Sequence, residues 1–175
     1  MTRQTFLEAI GFLAIIGIAA YLRFKGIRNL ELLGPTVDEP ILVEPVLRML
    51  RTGSYDFVNY EYGGVYFYVL AFAFILMIFR SISHFWYRNI SDIPESAYYT
   101  AGRMTTAFFS LAIVACTYGI ARKYFGKVPA IAASLILTFS ALSFTVAHEV
   151  RLDFALALWI LLAHLFFLRI LDEPS

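Results

Sequence analysis

The amino-acid sequence predicts an all-α protein, a polytopic bundle of transmembrane helices, and three observations point there. Of its 175 residues, 60% are hydrophobic and only 15% are charged; a soluble domain is about 45–50% apolar and about 25% charged. The apolar residues gather in five stretches, each near the length of about 17–25 residues that crosses a bilayer as a helix. The charges, including a mean hydropathy-lowering cluster in each linker, bunch between those stretches and leave an overall mean hydropathy of +0.71. No stretch alternates apolar and polar residues as a barrel strand does, and in hydrocarbon a helix satisfies its own backbone.

The first stretch covers residues 6–24, with Glu8 near its start. A secretory signal peptide is one reading; an uncleaved anchor is the other. Only Arg3 precedes the stretch while Arg23 and Lys25 flank its far end, which suits an anchor. The second stretch covers 65–82, the third 104–120, and the fourth 128–147, opened by Pro129 at a tolerated first-turn position. The fifth covers 154–171 and is interrupted by His164, read as a packing histidine or, less simply, a ligand.

The linkers differ in character. Residues 24–64 form a long mixed loop in which Gly34-Pro35 marks a turn. Pro45 after Glu44 reads as a helix start, giving a short helix over 45–52 that ends at Gly53. Its Val46, Leu47, Met49 and Leu50 oppose Arg48 and Arg51, a split suited to the membrane surface. Tyr55, Tyr60, Tyr62, Tyr66 and Tyr68 then lead into the second stretch, as aromatic residues do at an interface. The 120–127 linker is brief and basic, with Arg122, Lys123 and Lys127 and no acid. The 147–153 linker packs in His148, Glu149, Arg151 and Asp153. A single cysteine, Cys116, excludes an internal disulfide and a cysteine metal site. The net charge of +1 points to no nucleic-acid partner.

Three places carry candidate chemistry. Asp38-Glu39 in the long loop offers a general base with its orienter, a metal ligand, or merely helix-capping acids in a solvated turn. Glu61, just before the second stretch, is either a site acid that could hold a metal or an exposed interfacial acid. In the 148–153 cluster, Glu149 and Asp153 would share a helix face at i, i+4, where like charges repel. Arg151 there is a planar fork suited to phosphate. Charged groups beside an apolar phase are costly and commonly functional, although an ordinary polar turn would also stop two helices. Arg103, before the third stretch, either meets a lipid phosphate or snorkels to the interface.

The order of these signals carries a resemblance. After the Asp38-Glu39 loop and the tyrosine-rich entry comes Ala101-Gly102-Arg103, opening a helix rich in small residues. That helix ends Tyr118-Gly119-Ile120-Ala121-Arg122-Lys123-Tyr124-Phe125-Gly126, and an apolar helix and Arg151-Leu152-Asp153 follow. The chain resembles the N-terminal portion of GT-C glycosyltransferases, above all the dolichyl-phosphate-mannose–protein mannosyltransferase-like group, and is similar to the related aminoarabinose transferases that act on lipid A. The resemblance spans nearly the whole chain, as one transmembrane module of a longer enzyme.

It implies transfer of a sugar from a polyprenyl-phosphate donor to a protein or lipid acceptor, at the extracytoplasmic face of the cell membrane. Asp38 then matches the family's loop aspartate, a base or site organiser, and Glu39 completes the pair. Arg103 and Arg151 are the candidate donor-phosphate residues; Asp153 matches the later site aspartate. Glu61 resembles the acid that binds a divalent metal in the aminoarabinose transferases, although Tyr62-Gly63 replaces the lysine and proline usual there. A non-catalytic membrane subunit or a transporter fragment are the alternatives; a transporter would line a path with ionisable groups, for which Glu8 and His164 are the candidates.

One conflict follows. If all five stretches cross from a cytoplasmic N-terminus, the basic 122–127 turn lies outside, against the positive-inside rule, and Asp153 lies opposite Asp38. Both difficulties vanish if one early stretch lies flat or re-enters, and the aromatic second stretch is the candidate.

Overall fold

The computed structural model describes residues 3–29, 34–54, 64–84 and 86–172. Its helices are α1 (Arg3–Phe24), α2 (Glu39–Thr52), α3 (Gly64–Ser83), α4 (Glu95–Tyr124), α5 (Lys127–Phe139), α6 (Ala141–Ala147) and α7 (Asp153–Asp172). A 3₁₀ turn, Ile90–Asp92, precedes α4. No strand occurs among the described residues, so the chain is an all-α polytopic bundle, as its composition predicts. Four helices are long and apolar enough to cross a membrane, and α5 with α6 makes a fifth candidate bent by 56°.

The frame is an antiparallel pairing of α1 and α4. At one end Phe12 stacks on Tyr118 at 4.5 Å, and Glu8 pairs with Arg122. At the other, Phe24 meets Phe108 at 4.9 Å and Arg23 donates to Ser110 Oγ at 2.6 Å. The N-terminus of α1 and the basic turn after α4 therefore share one end of the bundle. α5 returns beside α1: Arg23 reaches the Leu137 carbonyl at 3.1 Å, near the end of α5. His148, just after α6, lies 3.1 Å from the Lys25 carbonyl. The 148–152 segment thus sits at the end opposite the basic turn, and α7 starts from it.

The fourth apolar stretch breaks where side chains compete with its backbone. Ser134 and Thr138 bond back to the Ala130 and Ser134 carbonyls at 2.8 and 2.7 Å, contacts that bend helices. Ser140 then caps α6, its Oγ accepting from Ser143 N.

The direction of α3 bears on the conflict in crossing parity, although its length and composition are those of a span. Tyr66, near its start, contacts Thr106 and lies 6.5 Å from Phe109. Phe74, two turns later, packs on Tyr98 at 5.3 Å. As α3 advances, its partners retreat toward the N-terminus of α4. It therefore runs away from the half of α4 that pairs with α1, although its composition alone would allow it to span. α4 has 30 residues, about 45 Å at 1.5 Å per residue, against a hydrocarbon core of about 30 Å. Its first turns, which begin nine residues before the expected 104, carry α2 and α3.

α2 also differs from expectation. The helix expected over 45–52 starts at Glu39, with Pro40 at its first turn and Pro45 inside. Pro45 costs one backbone bond. The longer helix gains burial of Leu42, Val43, Val46, Leu47 and Met49 in a core shared with Phe67, Leu70 and Phe74 of α3 and with Tyr98 of α4. The expected end holds: Gly53 is left-handed at φ 69°, and its N–H caps Met49 O.

Candidate active site

The site begins with the start of α2. Asp38 occupies the N-cap position yet makes no capping hydrogen bond. The following turn is closed instead by Glu39, whose Oε2 accepts from Thr36 N at 2.8 Å while its own N–H donates to Thr36 O at 3.2 Å. The capping reading of Asp38 is thereby replaced: its carboxylate turns outward, and its neighbour turns in.

Glu39 is fully buried and Arg103 is 2% exposed. The two form a forked pair, with Arg103 Nε on Oε1 at 2.8 Å and Nη2 on Oε2 at 2.7 Å. Nη2 also donates to Gly34 O at 3.0 Å. Glu39 Oε1 also accepts from Val150 N at 2.8 Å, the fourth bond to this carboxylate. Burial pushes the Glu39 carboxyl up, but the bonds from Arg103, Thr36 and Val150 outweigh it and hold the group below its usual range. Such a pair is tolerable only when every lone pair is engaged, as here. One carboxylate thus joins α2, α4 and the 148–152 segment.

That segment is irregular rather than helical, so Glu149 and Asp153 do not share a helix face. Its backbone polar groups are satisfied by side chains. Arg151 N donates to Thr106 Oγ1 at 3.2 Å, and Tyr66 OH donates to Arg151 O at 2.9 Å. Val150 has no exposed surface and abuts Gly102, where an added Cβ would lie 2.7 Å from Val150 Cγ2. Only glycine lets the segment approach α4 this closely.

The result is a cleft of about 170 Å³ lined by Asp38, Leu42, Val150, Arg151, Leu152 and Asp153. Arg151 Nη2 lies 3.2 Å from Asp38 Oδ2, and its Nε donates to Glu149 Oε2 at 2.7 Å. Glu149 first, then Asp38 and Asp153, keep this guanidinium firmly charged. A larger groove of about 520 Å³ runs along the outer face of α2 to Glu95. It contains the Arg51–Glu95 pair, with side chains 58% and 65% exposed. Pairs so exposed contribute little, and the groove holds none of the sequence-predicted site residues, so the smaller cleft is the better candidate.

Of the residues singled out in the sequence, Asp38, Arg151 and Asp153 come together in the cleft. Glu39 and Arg103 lie beneath it, bonded to each other. Arg103 therefore does not face a lipid headgroup: at its position α4 is covered by the start of α2. Glu61 lies outside the described residues. Among the described residues no three His, Cys, Asp or Glu side chains gather to hold a metal ion. His164 is exposed on α7. Sequence reasoning left Glu149, Tyr66, Thr106 and Gly102 out of the site. Glu149 carried a signal in the charged 148–153 cluster, Tyr66 in the tyrosine-rich entry and Gly102 in Ala101-Gly102-Arg103, whereas Thr106 carried none.

Chemically, the cleft offers an outward carboxylate able to accept a proton, a guanidinium able to pair with a phosphate, and a second carboxylate at the first turn of α7. No curated protein and no solved structure matches the chain. Residues 84–175 match the family described as dolichyl-phosphate-mannose-protein mannosyltransferase. That stretch is more than half of the 175 residues and contains the whole of α4 through α7. The chain belongs to this family of multi-pass membrane glycosyltransferases of the GT-C kind.

Proposed function

We propose that the chain forms the catalytic-side module of a glycosyltransferase that moves a sugar from a polyprenyl-phosphate donor to a hydroxyl or amine of a protein or lipid acceptor. The single observation that carries this reading is the meeting of Asp38 and Arg151 at 3.2 Å in an open cleft. Loop and linker from distant parts of the chain there join a base to a phosphate-binding fork.

In this reading Asp38 takes the proton of the acceptor. The acceptor oxygen or nitrogen attacks the anomeric carbon, the bond from that carbon to the phosphate oxygen breaks, and polyprenyl phosphate leaves. Arg151 neutralises the charge that develops on the phosphate. Asp153 lies across the cleft, able to hold sugar or acceptor hydroxyls. Glu39 and Arg103 act as the buried clamp that sets Asp38 and the 149–151 backbone in register. Where a divalent metal also takes part, Glu61 is the acid that would help to hold it, and the metal would add charge neutralisation.

One observation supports an extracytoplasmic cleft in the cell membrane. The basic residues Arg122, Lys123 and Lys127 lie at the opposite end of the bundle, which the positive-inside rule puts in the cytoplasm. The sugar lipid would then be met on the far side. A transporter is less well supported: Glu8 is paired with Arg122 at a bundle end, and buried Arg23 is bonded to Ser110 and to backbone carbonyls.

Asp38→Asn should lower sugar transfer by about 10²-fold or more, the usual range for a positioned base, with membrane insertion unchanged. Assay with a radiolabelled polyprenyl-phosphate sugar tests this, and full activity in the variant would defeat the assignment.

A further inference from the structure

The two ion pairs of the Arg151 guanidinium are unlike. The bond to Glu149 is 2.7 Å long, and that carboxylate is 19% exposed. The hold on Asp38 is an ion pair at 3.2 Å without a hydrogen bond, and that carboxylate is 52% exposed. The backbone around Arg151 is pinned on both sides, its N–H by Thr106 and its carbonyl by Tyr66. Any movement is therefore confined to the outer atoms of the side chain, and the weaker of its two holds is the one on Asp38.

Charge makes that hold consequential. Of the residues lining the cleft, Arg151 is the one cation, against Asp38 and Asp153, with Glu149 behind it. An entering phosphate meets excess negative charge and one guanidinium already engaged. A forked contact on a guanidinium needs its Nη2, and Nη2 is the nitrogen paired with Asp38. While that ion pair stands, the Asp38 charge is held toward Arg151 through Oδ2.

We propose that Arg151 is a gate with two positions. In the unliganded chain it closes Asp38. A donor phosphate draws the outer nitrogen away while Glu149 keeps the inner edge, so the base is released only after the donor is bound. This ordering keeps an acceptor from being deprotonated before a sugar is present. The inference rests on the donor reading above, and it makes Asp38 a competitor of the donor for Arg151 rather than a ligand of it.

The test is binding of a sugar-free polyprenyl phosphate to the chain in lipid nanodiscs at constant salt. Asp38→Asn should tighten binding by about two- to fivefold, the worth of an exposed ion pair. The gain should disappear in an Arg151→Gln background. Asp153→Asn alters the local charge equally, and its smaller gain should be the same in both backgrounds. Weaker binding in Asp38→Asn, or a gain that persists without Arg151, would overturn the gate and leave the donor reading intact. No binding to the unaltered chain would overturn both.

Discussion

At the scale of single residues, the division of labour between Asp38 and Glu39 decides what the site can do. Successive helical residues point about 100° apart, so at the start of α2 one carboxylate enters the core while its neighbour stays in the cleft. Buried Glu39 has its ionised form favoured by three donors, which outweigh the cost of burial and hold its carboxyl below the usual carboxylate range. A carboxyl with a depressed native pKa contributes stability that is present above its unfolded pKa and lost as pH falls through the folded one. The clamp should therefore be intact at neutral pH and fail on acidification below the ordinary carboxylate range. Glu39→Gln leaves Arg103 as an uncompensated buried charge, and should cost about 3–5 kcal/mol at pH 7. Its acid unfolding curve should also be flatter than that of the unaltered chain. Thermal unfolding in detergent across pH 3–7 reads both effects, and an unchanged midpoint at pH 7 would contradict the clamp.

At the scale of elements, the contact of α4 with the 148–152 segment is set by one missing methyl. Gly102 faces Val150, whose Cγ2 and Cγ1 would lie 2.7 and 3.1 Å from an added Cβ. Val150 is wholly buried and β-branched, so it cannot swing clear. Gly102→Ala should destabilise the bundle by about 1–3 kcal/mol through overpacking. It should also lower transfer, because moving Val150 draws its N–H from Glu39 and shifts Arg151 from Asp38. The double change Gly102→Ala with Val150→Ala restores the space and should recover much of both losses. If the double variant is no better than the single, the close approach is not what matters. The break between α5 and α6 has an equally local cause. Ser134 and Thr138 bond back along the helix, Ser140 starts a new one, and Arg23 takes up the Leu137 carbonyl near the bend.

At the scale of the whole molecule, the direction of α3 determines which loops share a side. α3 advances toward the start of α4, away from the half that pairs with α1. The expected outcome is that Ser54, before α3, and Ser91, after it, share one side of the membrane. Single cysteines placed in a chain with Cys116→Ala test this with a membrane-impermeant maleimide. Ser54→Cys and Ser91→Cys, both at exposed positions, should label from the same side, and Phe125→Cys from the other. Opposite labelling of Ser54→Cys and Ser91→Cys would mean that α3 crosses. The face of the bundle that carries the cleft is assembled from α2, the start of α4 and the 148–152 segment, with α3 packed on α2.

The sequence by itself determined the helical membrane class, the place of each apolar stretch though neither the early start of α4 nor the break between α5 and α6, and the family. Each rests on composition and on short-range order that needs no partner. It also marked Asp38, Arg151 and Asp153, because charges beside an apolar phase are conspicuous wherever they fold. Only the tertiary structure decided that Arg103 serves Glu39 rather than a lipid, that α2 starts a turn and a half before Pro45, and that Glu149 holds Arg151. The reason is physical. Hydrophobic pattern specifies that a face is to be buried, but the partner that buries it comes from elsewhere in the chain. A buried charge is assigned its counter-ion by that packing, not by its neighbours in sequence.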